Sequence, residues 1–138
     1  MAAAGYSGTP LPQKLGIKEN HKVVVVGAPA GFDKTLGTLP TGAVVATKLA
    51  GKTPVDVVIV FVKKQAELAP AIENARPRMA PAAGLWIAWP KKSSGVATDM
   101  TEQTIRDVAL PTGLVDNKVC AIDDTWSGLR LVIRKENR

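Results

Sequence analysis

"VVVVGAPAGF", residues 23–32, sets four valines against a loop bounded by glycines at 27 and 31. An unbroken β-branched run is what a strand needs when helices cover both faces of its sheet. Glycine at the end of such a strand lets the backbone turn through conformations closed to other residues. The stretch is therefore expected to be the first strand of a mainly parallel α/β sheet, turning into a helix. Working outward, "DVVIVFV" (56–62) and "GLWIAW" (84–89) repeat the doubly buried pattern, and "AVVAT" (43–47) forms a weaker strand.

Between these strands, Leu68, Ile72, Ala75 and Met79 recur at helical spacing over 63–79, with Pro70 and Pro77 expected to kink that helix or break it into short pieces. A capping box from Asp99 to Glu102 opens a second helix, whose stripe is Ile105, Val108 and Ala109 and whose end is marked by Pro111 and Gly113. "KVCAID" (118–123) and "LRLVIR" (129–134) flank "DTWSG", the pattern of an antiparallel hairpin. In its last strand Leu129, Leu131 and Ile133 share one face and Arg130, Val132 and Arg134 the other, so a half-exposed strand is expected. Residues 1–12, with Gly5, Gly8, Pro10 and Pro12, read as an irregular arm leading to a helical turn near Gln13–Leu15. One connection strains the parallel scheme. Only eight residues, Lys48 to Val55, join the second and third strands, where a parallel crossover normally takes about a dozen or more. The link is then extended and helix-free, or the second strand lies at an edge with its direction open.

The whole chain, 1–138, has the size of one domain, and its 46% apolar composition suffices for a single core. Cys120, the only cysteine, cannot form an internal disulfide, and the chain has neither a long apolar run nor a basic-then-apolar leader. A cytoplasmic location without membrane attachment is the expectation. Eighteen Lys and Arg against twelve Asp and Glu give a net charge of +6. This favours anionic partners, or serves solubility alone. The basic residues are scattered and not interleaved with aromatics, which argues against specific nucleic-acid recognition.

"LGIKENHKVVVVGAPAGF" (15–32) resembles the opening of the class I, S-adenosylmethionine-dependent methyltransferase fold, a short helix, a strand and a glycine-rich loop. "DVVIVFV", "APAAGLWIAWPK" (80–91) and the closing hairpin fall where that fold has its fourth strand, fifth strand and terminal antiparallel pair. More closely, "GYSGTPLPQKLGIK" (5–18), "AWPKKSSGVATDMTE" (88–102) and "GLVDNKVCAIDDTWSGLRLVIR" (113–134) are similar to a family of small bacterial proteins known only as a domain of unknown function. The resemblance implies a three-layer Rossmann-like sheet of about six mostly parallel strands, order 2-1-3-4-6-5, with a C-terminal antiparallel hairpin. It departs from the methyltransferase pattern where the cofactor would bind. The first strand carries no acidic residue, Pro29 offers no N–H, the second strand ends in Thr47-Lys48 where an acid should take the ribose, and a third strand is missing. The dinucleotide glycine fingerprint fails for the same reasons. S-adenosylmethionine is accordingly not expected to bind, and no other cofactor is implied.

Ligands in an open α/β sheet bind outside the carboxyl ends of the strands, where the strand order reverses. Gly27, Ala28, Pro29 and Gly31 follow the first strand, Lys48 the second, Lys63 and Lys64 the third, and Lys91, Lys92 and Ser93 the fourth. These residues, Lys48 apart, are the candidate binding site, suited to a phosphate, carboxylate or nucleotide, although loop lysines also populate surfaces that bind nothing. Trp126 in the hairpin is the candidate contact or lid residue, expected to fold back over apolar surface. No catalytic residue or metal ligand stands out. His21 is isolated in a charged turn, Cys120 reads as a small buried hydrophobe, Ser7, Ser93 and Ser127 lack any sign of activation, and Asp116, Asp123 and Asp124 suit local backbone bonding. Trp86 and Trp89, three apart in one strand, should point to opposite faces. The leading expectation is a non-enzymatic binder of a small anionic ligand or a protein partner. The alternatives are a divergent methyltransferase or other nucleotide-dependent transferase, and an RNA- or ribosome-associated basic protein.

Overall fold

Valines 23–25 of β1 (Lys22–Val26) alternate between two hydrophobic layers, Val24 in one and Val23 and Val25 in the other, which is why the run tolerates no polar residue. A computed structural model describes residues 9–49 and 51–137; residues 1–8, with most of the expected arm and Ser7, lie outside it. The sheet also contains β2 (Val44–Ala46), β3 (Val55–Phe61), β4 (Met79–Pro90), β5 (Leu114–Ala121) and β6 (Trp126–Ile133). Its order is β2-β1-β3-β4-β6-β5, as expected from the sequence. The strand pairs around β1 and β3 are parallel, and β6 runs antiparallel to both of its neighbours. Helices α1 (Leu11–Lys14) and α2 (Phe32–Leu36) pack with Leu15 and Ile17 on one face, and α3 (Leu68–Ala75) and α4 (Glu102–Ala109) on the other. This gives the three layers of a Rossmann-like domain.

β2 pairs parallel with β1 at the sheet's edge. The link from β2 to β3 has no helix among its described residues, and Leu49 within it packs against the α3/α4 layer. A short extended segment thus covers part of the face that a crossover helix would otherwise cover.

Three local expectations are corrected, and the expected break in the 63–79 helix is present. β4 begins at Met79, so Met79 is a strand residue and not the end of a helix; the pairing slips between Val55 and Val57, which accommodates the exposed Pro81. The 63–79 helix is broken into short pieces, two 3-10 turns around α3, with Pro70 in the first turn of α3, where its missing N–H is not needed. Asp99 does not cap α4. Thr101 does, accepting from the Thr104 N–H at 3.1 Å, while the Asp99 carboxylate accepts from the Gln65 N–H at 2.8 Å and ties the approach to α4 onto the segment after β3. Finally, β6 is not half exposed: it lies between β4 and β5, and Val132 is buried along with Leu129, Leu131 and Ile133. Thr101→Ala is expected to lower stability by about 1 kcal/mol, read from urea unfolding, and an unchanged midpoint would assign the cap elsewhere.

Candidate functional site

The chain leaves β1 toward β2 and leaves β3 toward β4, on the opposite side, so the crevice of the sheet opens between the carboxyl ends of these two strands. Gly27 turns the chain there with φ +70°, and a Cβ on it would lie 3.4 Å from the Phe61 carbonyl oxygen. Gly31, φ +82°, begins α2. The Pro29 carbonyl accepts from the Phe32 N–H at 3.2 Å and closes the loop onto that helix.

Over this crevice lies a depression of about 410 Å³, lined by Gly27, Ala28, Pro29, Phe61, Lys63, Glu67 and Trp126. The expected residues Gly27, Ala28, Pro29, Lys63 and Trp126 are therefore brought together. The Lys63 side chain is exposed and makes no ion pair among the described residues. Glu67 was not anticipated. Its Oε1 accepts from the backbone N–H groups of Lys63 and Lys64 at 3.1 and 3.3 Å, pinning the segment that follows β3. A glutamate three residues after Lys64, at the start of a helical turn, was the available signal.

Gly31 lines a second depression of about 290 Å³, together with Val25, Ala28, Pro29, Phe32, Leu36, Leu39, Val45 and Thr47. The exposed Asp33 is the one charged residue in its lining. The two depressions share Ala28 and Pro29. Beneath them runs a row of aromatic rings. Phe32 meets Phe61 edge-to-face with centroids 4.9 Å apart, and Phe61 meets Trp126 in the same way at 4.9 Å. Trp126 is 6% exposed and opens β6 instead of projecting from the turn, which passes through Asp123–Thr125; the Asp123 carboxylate accepts from the N–H groups of Thr125 and Trp126, both at 2.8 Å.

Lys64, Lys91, Lys92 and Ser93 are not in the lining of either depression. Lys92 and Ser93 stand exposed on a 3-10 turn after β4, where the Lys91 N–H donates to the Thr125 carbonyl at 2.8 Å. A larger hollow of about 620 Å³ lies between α1, α2 and Ile122–Asp123; of its charged groups Lys14 Nζ donates to the Ala121 carbonyl at 2.9 Å and Asp123 caps the turn, while Lys34 stands exposed. It lies away from the strand reversal.

The remaining candidates have structural partners. His21 Nδ1 accepts from the Lys18 N–H, and Asp116 pairs with Arg106 at 3.0 Å. Cys120 is buried, and burial pushes its thiol up, against the opposing pull of Lys14 and Lys118. Among the described residues no group of three His, Cys, Asp or Glu could hold a metal, and no helix is long and apolar enough to cross a membrane.

A sequence profile described as "Protein of unknown function (DUF3052)" matches residues 13–135. No curated protein matches the sequence. Solved structures with a similar fold include a SAM dependent methyltransferase from Aquifex aeolicus, 16% identical over 88% of this chain and 87% of that one, TM-score 0.61. A TehB-like SAM-dependent methyltransferase from Corynebacterium glutamicum is 11% identical over 95% and 91%, TM-score 0.56. A fibrillarin pre-rRNA processing protein from Methanococcus jannaschii is 15% identical over 94% and 71%, TM-score 0.61. At these identities the likeness is one of fold: a methyltransferase-like, Rossmann-like sheet.

Proposed function

Since the chain belongs to the DUF3052 family, whose description carries no activity, we propose its function from the site alone: it is a non-enzymatic protein that binds a small anionic ligand in the depression between the ends of β1 and β3. The observation that carries this reading is the Lys63 ammonium, without an ion pair among the described residues, in the same depression as the glycine loop, at the strand reversal. A lysine on a flexible stem can meet a carboxylate or phosphate there, and no residue around it is arranged as a nucleophile with its base.

S-adenosylmethionine does not fit these residues. β2 is followed by Thr47 and Lys48 with no acid to take a ribose, Pro29 has no N–H to offer, and the hollow beside the β2 end is lined mainly by hydrocarbon, its one carboxylate being Asp33 on α2. Calorimetry is expected to detect no S-adenosylmethionine binding at micromolar concentrations. A panel of nucleoside monophosphates and organic carboxylates at low salt should contain binders, and Lys63→Glu should weaken them by about tenfold or more at an unchanged melting temperature. Lys91→Glu and Lys92→Glu, outside the depression, should do much less. Micromolar S-adenosylmethionine binding would overturn the exclusion of that cofactor, and anions held equally well by Lys63→Glu would overturn the anion site.

A further inference from the structure

The two depressions that meet over Ala28 and Pro29 differ in chemistry. One is lined by a single ammonium, Lys63, which has no ion pair among the described residues, with the carboxylate of Glu67 in the same wall. The other is bounded by Val25, Phe32, Leu36, Leu39 and Val45. From this juxtaposition we propose that the ligand is an amphipathic monoanion, its charged head at Lys63 and its apolar body crossing Ala28–Pro29 into the hollow beside β2. The proposal rests on the anion reading above and names the ligand class.

Four features support it. Glu67 opposes a second negative charge near Lys63, so a head with one charge is favoured over a polyphosphate. The Phe32–Phe61–Trp126 row gives one apolar floor under both depressions. Val45 is 44% exposed although it lines the hollow, so apolar surface there remains open to water and gains from being covered. Asp33, at the hydrocarbon end, sets the orientation by repelling the head.

Decanoate, acetate, decanol and adenosine monophosphate, titrated by calorimetry into the intact chain, distinguish head from body. Decanoate is expected to bind at least about tenfold more tightly than acetate, since several methylenes leave water. It should also bind more tightly than decanol or the nucleotide. Val45→Asp and, independently, Thr47→Asp should each weaken decanoate by about tenfold, because each sets a negative charge against the apolar body. Both positions are exposed, so the melting temperature of at least one variant should hold. Acetate or adenosine monophosphate bound as tightly as decanoate, lost in Lys63→Glu yet unaffected by both aspartates, would overturn the amphipathic ligand while the anion site stands. Decanol bound as tightly as decanoate and indifferent to Lys63→Glu would overturn the anion site itself, and the failure of decanoate to bind would overturn the ligand class.

Discussion

Trp86→Ala is expected to lower the stability of the domain by about 3 to 5 kcal/mol, and its melting temperature by about 10 °C or more. The ring is fully buried in the layer that α1 and α2 form on the sheet, and it passes over β6, where a Cβ on Gly128 would lie 3.0 Å from Trp86 Cε3. Removing it leaves a hollow that the sheet cannot close, because β4 is fixed by pairing on both sides. The indole Nε1–H also donates to the Leu15 carbonyl at 3.0 Å, which ends α1 and fastens it to the sheet. Trp86→Phe separates the two effects: it keeps most of the packing and loses the donor, for about 1 to 3 kcal/mol. Thermal unfolding of both variants is the measurement. If alanine cost no more than phenylalanine, the ring would not be filling the core as described.

Trp126→Ala is the second large effect, again about 3 to 5 kcal/mol for a buried ring. Here the loss also reaches the proposed site, since Trp126 braces Phe61, and Phe61 lines the depression beside Lys63. A variant that folds should therefore bind anions more weakly, while Trp126→Phe restores much of both properties. Full stability in Trp126→Ala would mean that the ring covers no apolar surface and acts as a free contact residue.

Much of the fold was legible because its decisive strands are buried on both faces. Runs such as residues 23–26 and 56–62 must be apolar throughout, and the sheet order followed from alternating strands and helices together with the resemblance. The direction of β2 was not legible. Val44–Ala46 is short and exposed, with only three register pairs to β1, and the usual length rule for parallel crossovers argued against the arrangement that is present. The first half of β4 was hidden by Pro81 and three alanines, whose propensities oppose a strand, until pairing with β3 overrides them. Arg130 and Arg134 made β6 look half exposed, although how far a strand is covered depends on what packs around it and not on its own pattern.

The site was legible only in part. Sequence order locates the residues after each strand, so Gly27 to Gly31 and Lys63 could be placed together. It cannot say how far a following turn carries them, which is why Lys91, Lys92 and Ser93 fall outside the depression. The hydrocarbon hollow draws on α2, the loop through Leu39 and the β2 edge at once, a meeting of segments with no local signature.

The three tryptophans also make the protein its own optical instrument. Trp89 sits in the α3/α4 layer, Trp86 in the opposite layer, and Trp126 beside the strand reversal, each buried. Because indole emission shifts to the red when water reaches the ring, variants retaining one tryptophan apiece would report the hydration of each layer separately. Simultaneous shifts on heating would identify a single cooperative unit, and an earlier shift at Trp126 would mean that the sheet opens first at the strand reversal.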